Sequence, residues 1–158
     1  MRSSNSRWCS SSHNMKLRID NDSLAEEFFS DCRLLGIVAP MKDYQLGWKL
    51  NQALGYDFRV NNEIEIQLTK KNRRYFFSIF EWCEPAGSLR HYLYNNQFDG
   101  EYLLPEFKHL DFIWLMKGDD LKNEEVQDLQ HAIRNIMGVQ LVTELTTTKI
   151  RNKGHLIF

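Results

Sequence analysis

The sequence LDFIWLM, residues 110–116, is apolar at every position but Asp111, so a strand formed by it would be apolar on both faces. Such a strand belongs inside a sheet that is covered on both sides. A helix is predicted after this strand, with Asp120 or Asn123 as its N-terminal cap and Gly138 at its end. Apolar residues recur at helical spacing within it, namely Val126, Leu129, Ile133, Ile136 and Met137. A second strand is predicted from the alternation of Val139, Leu141, Thr143 and Leu145. Together they predict a βαβ unit, whose crossover is normally right-handed.

Residues 34–60 predict a second unit of this kind. LLGIV, residues 34–38, indicates a buried strand, and Pro40 suits the first turn of a helix. The helix is predicted from PMKDYQLGWKLNQALG, residues 40–55, with Gly55 as its C-terminal cap. Its buried face is predicted to hold Leu46, Leu50, Ala53 and Leu54.

Tyr44, Trp48 and Asn51 form a stripe that adjoins this buried face. Aromatic residues in such a stripe usually lie at the rim of a core, partly covered by it. We expect the rim here. The stripe is nevertheless the candidate interaction surface of the helix.

Hairpin strands are predicted between the two units. Residues 58–60 and 64–68 alternate, TKKNRR at 69–74 turns the chain, YFFSIFEWC at 75–83 returns as one strand, and LRHYLY at 89–94 forms the next. The sequence therefore predicts an α+β domain with a ferredoxin-like split βαβ plan. Its sheet would be mixed or mainly antiparallel, with two main helices packed on it.

The overall composition is that of an ordinary globular domain. The chain has 158 residues, 42% of them hydrophobic and 26% charged, and a formal net charge of −1. This charge provides no field that would attract nucleic acid or a membrane surface. No apolar run approaches the ~18 residues that cross a bilayer. Three scattered cysteines fit neither a disulfide framework nor a metal site, and they suggest a reducing cytoplasm.

Residues 1–14, MRSSNSRWCSSSHN, differ from the rest of the chain in being rich in serine and free of acidic residues. They lack the apolar centre of a signal peptide. We predict a disordered extension here, followed by a single domain over residues 15–158.

Standard catalytic and cofactor motifs are missing from the sequence. The glycines are scattered singly, and no histidine pair has zinc-ligand spacing. We therefore expect no catalytic residue, metal or cofactor, and we expect the histidines to be surface or strand residues. The leading functional hypothesis is a non-enzymatic interaction or regulatory domain with an unknown protein partner.

A basic cluster precedes aromatic residues in the predicted hairpin. Its members are Lys70, Lys71, Arg73, Arg74 and Tyr75. Single-stranded RNA binders use this combination to contact phosphates and stack bases, so an RNA- or nucleotide-binding module is one alternative function. Hairpin tips are also charged because they are exposed to water, and this explanation is favoured here.

The segment LPEFKHLDF, residues 104–112, resembles the pattern that names the IPExxxVDY family, a set of uncharacterised proteins of Bacteroidetes-type bacteria. Pro105, Glu106 and Asp111 match it, whereas Leu104, Leu110 and Phe112 replace Ile, Val and Tyr. The resemblance also covers KDYQLGWKLNQALG, FSIFEW and HLIF. It implies an α+β domain and a cytoplasmic location, and no established activity.

The residues themselves favour a structural role for this motif. Proline extends the residue before it and fixes its own φ, so the segment is predicted to bend the chain into a strand. Glu106 would then lie in the first turn and Asp111 at the entrance of the strand, accepting donors from the turn before it. The remaining alternative is an enzyme that uses Glu106, Asp111 and Asp43.

Overall fold

A computed structural model describes residues 21–85, 87, 89–118 and 121–158, without the side chains of residues 21–23. The predicted extension at residues 1–14 and the cap at Asp120 lie outside the described residues. These described residues form the helices α1 (Asn21–Phe29), α2 (Asp43–Leu54) and α3 (Asn123–Arg134) and ten strands. These are β1 (Cys32–Val38), β2 (Arg59–Val60), β3 (Ile66–Lys70), β4 (Arg73–Phe77), β5 (Ile79–Cys83), β6 (Arg90–Asn95), β7 (Gln97–Phe98), β8 (Glu101–Tyr102), β9 (Phe112–Lys117) and β10 (Leu141–Leu145).

Six strands form the main sheet, in the order β10-β1-β9-β6-β5-β2, and all neighbours are antiparallel. Ile113 of β9 lies opposite Gly36 of β1 and Tyr94 of β6. Two further hairpins, β3–β4 and β7–β8, stand outside this sheet. The predicted α+β class with a mainly antiparallel sheet is confirmed. The described residues form a third helix besides the two main helices that were predicted. The six-stranded sheet and the two further hairpins also differ in detail from the ferredoxin-like plan.

The main sheet is covered on both faces, as the apolar run of β9 predicts. Trp114 points to one face, where α2 contributes Leu46 and Leu50 and α3 contributes Val126 and Ile133. Its neighbours Ile113 and Leu115 point to the opposite face, which is covered by α1, the β3–β4 hairpin and the 147–156 segment. We call these the helical face and the hairpin face. No helix in the described residues has the length and apolar character that crossing a membrane requires.

The helix ends differ from prediction by a few residues. Helix α2 begins at Asp43, three residues after Pro40, and the Gln45 side chain accepts a hydrogen bond from the Lys42 backbone N–H at 2.8 Å. Gly55, with a φ of 71°, caps its C-terminus as predicted. Helix α3 begins at Asn123, after Lys122, and ends at Arg134, four residues before Gly138.

YFFSIFEWC was predicted as one strand and forms two. Residues up to Phe77 pair with β3, whereas Ile79 onward pairs with β6 in the main sheet. Ser78 lies in neither strand and marks the passage from the hairpin to the main sheet. Alternation continues through the break, because Tyr75, Phe77 and Ile79 are all buried on the hairpin face. Periodicity alone therefore could not reveal the change of partner.

Two of the predicted buried faces are only partly covered. In β10, Leu145 is buried but Leu141 is 44% exposed, because β10 is an edge strand. In α2, Leu46 and Leu50 are fully buried, whereas Ala53 is exposed. Met137, predicted to continue the α3 pattern, lies beyond the helix and is 83% exposed. Exposed apolar groups therefore lie near the C-terminal ends of both helices.

Candidate functional site

LPEFKHLDF forms a turn that leads into the central strand. Pro105–Phe107 is a short 3-10 helix, and Leu104 before it is extended, as expected of a residue that precedes proline. The Phe107 N–H donates to the Leu104 carbonyl at 2.9 Å, and the Leu110 N–H donates to the Phe107 carbonyl at 3.0 Å. The segment therefore bends the chain immediately before β9 begins at Phe112.

Asn96, which the sequence did not single out, holds this turn from inside the protein. Its Nδ2 donates to the Phe107 carbonyl at 3.0 Å and to the Leu110 carbonyl at 2.9 Å. Its Oδ1 accepts from the Leu104 N–H at 2.8 Å. The side chain is fully buried, so these bonds are shielded from competing water.

Glu106 and Asp111 bind backbone groups of two different distant segments. The Glu106 carboxylate accepts from the Asn152 backbone N–H at 2.8 Å and from Asn152 Nδ2 at 2.7 Å. Burial alone would raise the pKa of Glu106, but these hydrogen bonds outweigh it and hold the pKa below its ordinary value. Asp111 Oδ2 instead accepts from the Ala39 N–H at 2.8 Å. Each of the two acids therefore attaches another segment of the chain to the turn. Asp111 was expected to accept hydrogen bonds from the turn before it, but its side chain binds Ala39 instead.

Phe112, where the family pattern has tyrosine, is buried on the helical face. It lies next to residues such as Ile37 and Leu46 in the same apolar cluster. A hydroxyl placed there would need a buried hydrogen-bond partner. Phenylalanine therefore suits this position as a packing residue.

One open cleft, of about 660 Å³, contains two of the acids in the enzymatic hypothesis. Asp43 and Asp111 line it together with Asp99 and Lys42, but Glu106 does not. One oxygen of Asp111 is already bound to the backbone of Ala39. Within the described residues, no group of three or more His, Cys, Asp or Glu side chains is placed to hold a metal ion. The three acids of that hypothesis do not form one site.

The basic cluster occupies the β3–β4 hairpin, as predicted. Lys70 forms an ion pair with Glu101 at 3.0 Å, and its hydrogen bond lowers the pKa of Glu101. Arg73 pairs with Asp99 and lies over the ring of Tyr75, 5.3 Å from its centroid. Because Tyr75 is buried, its ring is not accessible for stacking with a nucleobase. The hairpin is thus partly neutralised by its neighbours, leaving Lys71 and Arg74 outside these ion pairs.

The α2 stripe divides into an exposed and an internal part. Tyr44 and Trp48 are 61% and 63% exposed, more than residues at a core rim would be. Asn51 is used within the chain: its Oδ1 accepts from the Phe58 N–H at 2.8 Å, and its Nδ2 donates to the Phe58 carbonyl at 3.1 Å. Only the two aromatic residues of the stripe are therefore presented to solvent.

Trp48 borders an open groove between α2 and the end of α3, with a volume of about 530 Å³. We call it the α2–α3 groove. Its apolar lining consists of Trp48, Ala53, Leu54, Ala132, Ile136 and Met137. Lys49 also lines it, and its Nζ donates to the Met137 carbonyl at 3.3 Å. The sequence prediction of a surface on α2 missed the contribution of α3, because Met137 was assigned to the helix core.

His91 lies on strand β6, one of the two kinds of position expected for the histidines, and it is buried in an aromatic cluster. Its Nδ1 accepts from Trp114 Nε1 at 3.1 Å, and its Nε2 lies 3.0 Å from Glu84 Oε2. Because an indole N–H can only donate, the hydrogen of the neutral imidazole must be on Nε2. Trp82 stacks on the ring at 4.8 Å, and Tyr56 stacks on Trp82 at 4.1 Å. Alternation with Leu93 was the sequence signal for this inward position.

We expect the stability of the protein to fall as the pH is lowered below about 6.5, the ordinary value for histidine. Burial lowers the pKa of His91, although the hydrogen bond and charge of Glu84 oppose the shift. The unfolded chain then binds a proton that the folded chain resists, so this contribution to stability is full above pH 6.5 and is lost on acidification. The loss is at most about 1.4 kcal/mol per pH unit.

Urea denaturation at pH 7.5 and pH 5 would measure this loss, beside the variants His91→Gln and His131→Gln. His131→Gln is the matched control, because it removes a histidine at an exposed position on α3 and leaves the aromatic cluster intact. The His91 variant should lose most of the dependence. Equal stability of the parent chain at the two pH values would refute the assignment.

No family model matches this chain, and no curated protein matches it.

Proposed function

We propose that this protein is a non-enzymatic interaction or regulatory domain that binds an apolar segment of another protein in the α2–α3 groove. The observation that carries the proposal is the exposure of Trp48 and Met137 on the lining of one groove. Single exposed apolar residues are ordinary, but large apolar residues grouped along a concave surface are typical of binding sites.

The side chains of the groove are suited to protein contacts. Tryptophan is enriched among the residues that dominate binding energy at interfaces. Methionine is flexible and polarizable, so Met137 can adapt to the shape of a partner. Ala53 and Ala132 are small and leave room between these two larger groups. The groove therefore combines an aromatic anchor with an adaptable second wall.

The candidate catalytic groups give less support to an enzyme. Glu106 and Asp111 are hydrogen-bonded to backbone groups of separate segments. Burial raises the pKa of the Cys32 thiol to about 12, so it is not a thiolate nucleophile at neutral pH. RNA binding is also less well supported, because Lys70 and Arg73 already form ion pairs with acidic side chains of the same chain.

We expect peptides selected from a random displayed library on the wild-type protein to bind Trp48→Ala at least about tenfold more weakly. Removal of an anchor residue costs about 2 kcal/mol or more of binding free energy, equivalent to a roughly 30-fold change. Dissociation constants of the synthesised peptides, measured by fluorescence anisotropy, provide the test.

Phe76→Ala is the matched control for this measurement. Phe76 is also an exposed aromatic residue, but it lies on the β3–β4 hairpin and not in the groove. Its replacement should leave peptide affinity unchanged. Selected peptides that bind both variants as tightly as the wild type would rule out the groove, and failure to select any peptide would rule out the proposed class of partner.

We further propose the ferredoxin-like plan for the core of the fold. Four sheet strands in the order β10-β1-β9-β6, with α2 after β1 and α3 after β9, support it. Membership of the IPExxxVDY family is proposed from the segment at residues 104–112. A crystal structure of this protein with another strand order would contradict the ferredoxin-like plan. A crystal structure of an IPExxxVDY family protein with a different fold would contradict the family membership. A cytoplasmic location is proposed from the resemblance and from the small number and wide spacing of the cysteines in the sequence. Export of a tagged chain by its native host would contradict it.

A further inference from the structure

We infer that the occupant of the α2–α3 groove is an amphipathic helix whose apolar side chains fill the groove while an acidic side chain meets Lys49. The inference rests on the proposed function and specifies its partner. Three features carry it: within the described residues Lys49 forms no ion pair, no acidic residue lines the groove, and the backbone around the groove is mostly helical.

Lys49 is a half-buried cation at the edge of an apolar surface. Within the described residues, no carboxylate forms an ion pair with it. Its hydrogen bond reaches only the Met137 carbonyl, at a length of 3.3 Å. By contrast, Lys117 is held by Asp31 at 2.9 Å and Lys70 by Glu101 at 3.0 Å. Lys49 can therefore turn towards an incoming carboxylate at little cost.

Lys49 is the one charged side chain among the described residues that line the groove. No aspartate or glutamate is among the described residues that line it, and Gln52 and Asn135 are its neutral polar groups. A basic segment would be repelled by the positive charge of Lys49. An acidic segment would instead form an ion pair with Lys49 that is partly shielded from water. Charge complementarity therefore favours an acidic partner.

The backbone around the groove favours a helix over a strand. Most lining residues belong to α2 and α3, where their backbone N–H groups donate within the helices. An added strand needs a free sheet edge with which to form main-chain hydrogen bonds, and none of the described residues that line this groove belongs to a strand. An amphipathic helix needs only an apolar channel for side chains at i, i+3 or i+4, and i+7.

Three synthetic helical peptides of about 15 residues test the inference. The first has leucines along one face and glutamates flanking them, the second has lysines in place of the glutamates, and the third is a scramble of the first without an apolar face. Binding to the wild type, Lys49→Glu and Trp48→Ala would be measured by fluorescence anisotropy at about 50 mM salt, where surface charges are weakly screened. Circular dichroism would verify that each variant is folded.

We expect the glutamate peptide to bind the wild type at least about fivefold more tightly than the lysine peptide, and Lys49→Glu to reverse the preference. Both should weaken on Trp48→Ala, and the scramble should bind poorly. Equal affinities, or a preference that persists in Lys49→Glu, would overturn the acidic partner, and strong binding of the scramble would overturn the helix. Library peptides that need Trp48 while none of these three binds would overturn this inference and leave the proposed function intact.

Discussion

Replacing Asn96 by alanine is expected to lower the free energy of unfolding by about 2–6 kcal/mol. The change removes the side-chain bonds to Leu104, Phe107 and Leu110. It leaves the buried Leu104 N–H and Leu110 carbonyl without this partner, whereas the Phe107 carbonyl keeps its bond from the Leu110 N–H. Each buried polar group that loses its partner costs about 1–3 kcal/mol, partly recovered where water enters. Because a domain of this kind is stable by about 5–15 kcal/mol, the variant would be close to unfolding. Urea denaturation followed by circular dichroism measures the difference.

Asn95→Ala is the matched control for this prediction. Asn95 is the preceding residue and the same amino acid, but its Oδ1 accepts a single bond, from the Gln97 N–H at 3.2 Å. We expect its replacement to cost about 1 kcal/mol or less. An unfolded Asn96→Ala beside a stable Asn95→Ala would agree with the prediction. Similar stabilities for the two variants would show that the turn at Pro105–Phe107 does not depend on Asn96.

The bend could be predicted from sequence, but the residue that holds it could not. Proline restricts its own φ and the residue before it, so its effect is local and visible in LPEFK. Asn96 acts through hydrogen bonds to residues 8 to 14 positions away. In the sequence it stands in NNQFDG, a stretch with the composition of an ordinary surface loop. Only the pairing of β6 with β9 brings it under the turn.

The same distinction between local and distant causes applies to the candidate site. The helical spacing of Tyr44 and Trp48 is a local property, and it placed both residues on one stripe of α2. Their exposure depends on how far the end of α3 extends over that stripe, which the sequence of α2 does not contain. The burial of His91 similarly depends on Trp114, a residue 23 positions away on a neighbouring strand.

Replacing Leu156 and Phe158 together by alanine is expected to lower the free energy of unfolding by about 4–6 kcal/mol. Leu156 is fully buried on the hairpin face, and a buried leucine changed to alanine costs about 2–5 kcal/mol. Phe158 is half-buried between Phe28 and Tyr92, at centroid distances of 5.5 and 4.8 Å, so its loss adds a smaller amount. The Tyr94 hydroxyl would keep its bond to the Leu156 backbone carbonyl, 2.7 Å long, because neither change alters the backbone.

The size of this effect separates two roles for the apolar residues at 156–158. If they dock on the body of the domain, the double variant loses several kcal/mol in urea denaturation, whereas Met137→Ala loses almost nothing, since Met137 is 83% exposed. If they were instead free to contact a partner, as Met137 is, the two variants would differ by less than about 0.5 kcal/mol. The hydrogen bonds of Glu106 to Asn152 favour docking, because they attach the chain to the turn only four residues before Leu156. A small difference would therefore also count against the role assigned to Glu106.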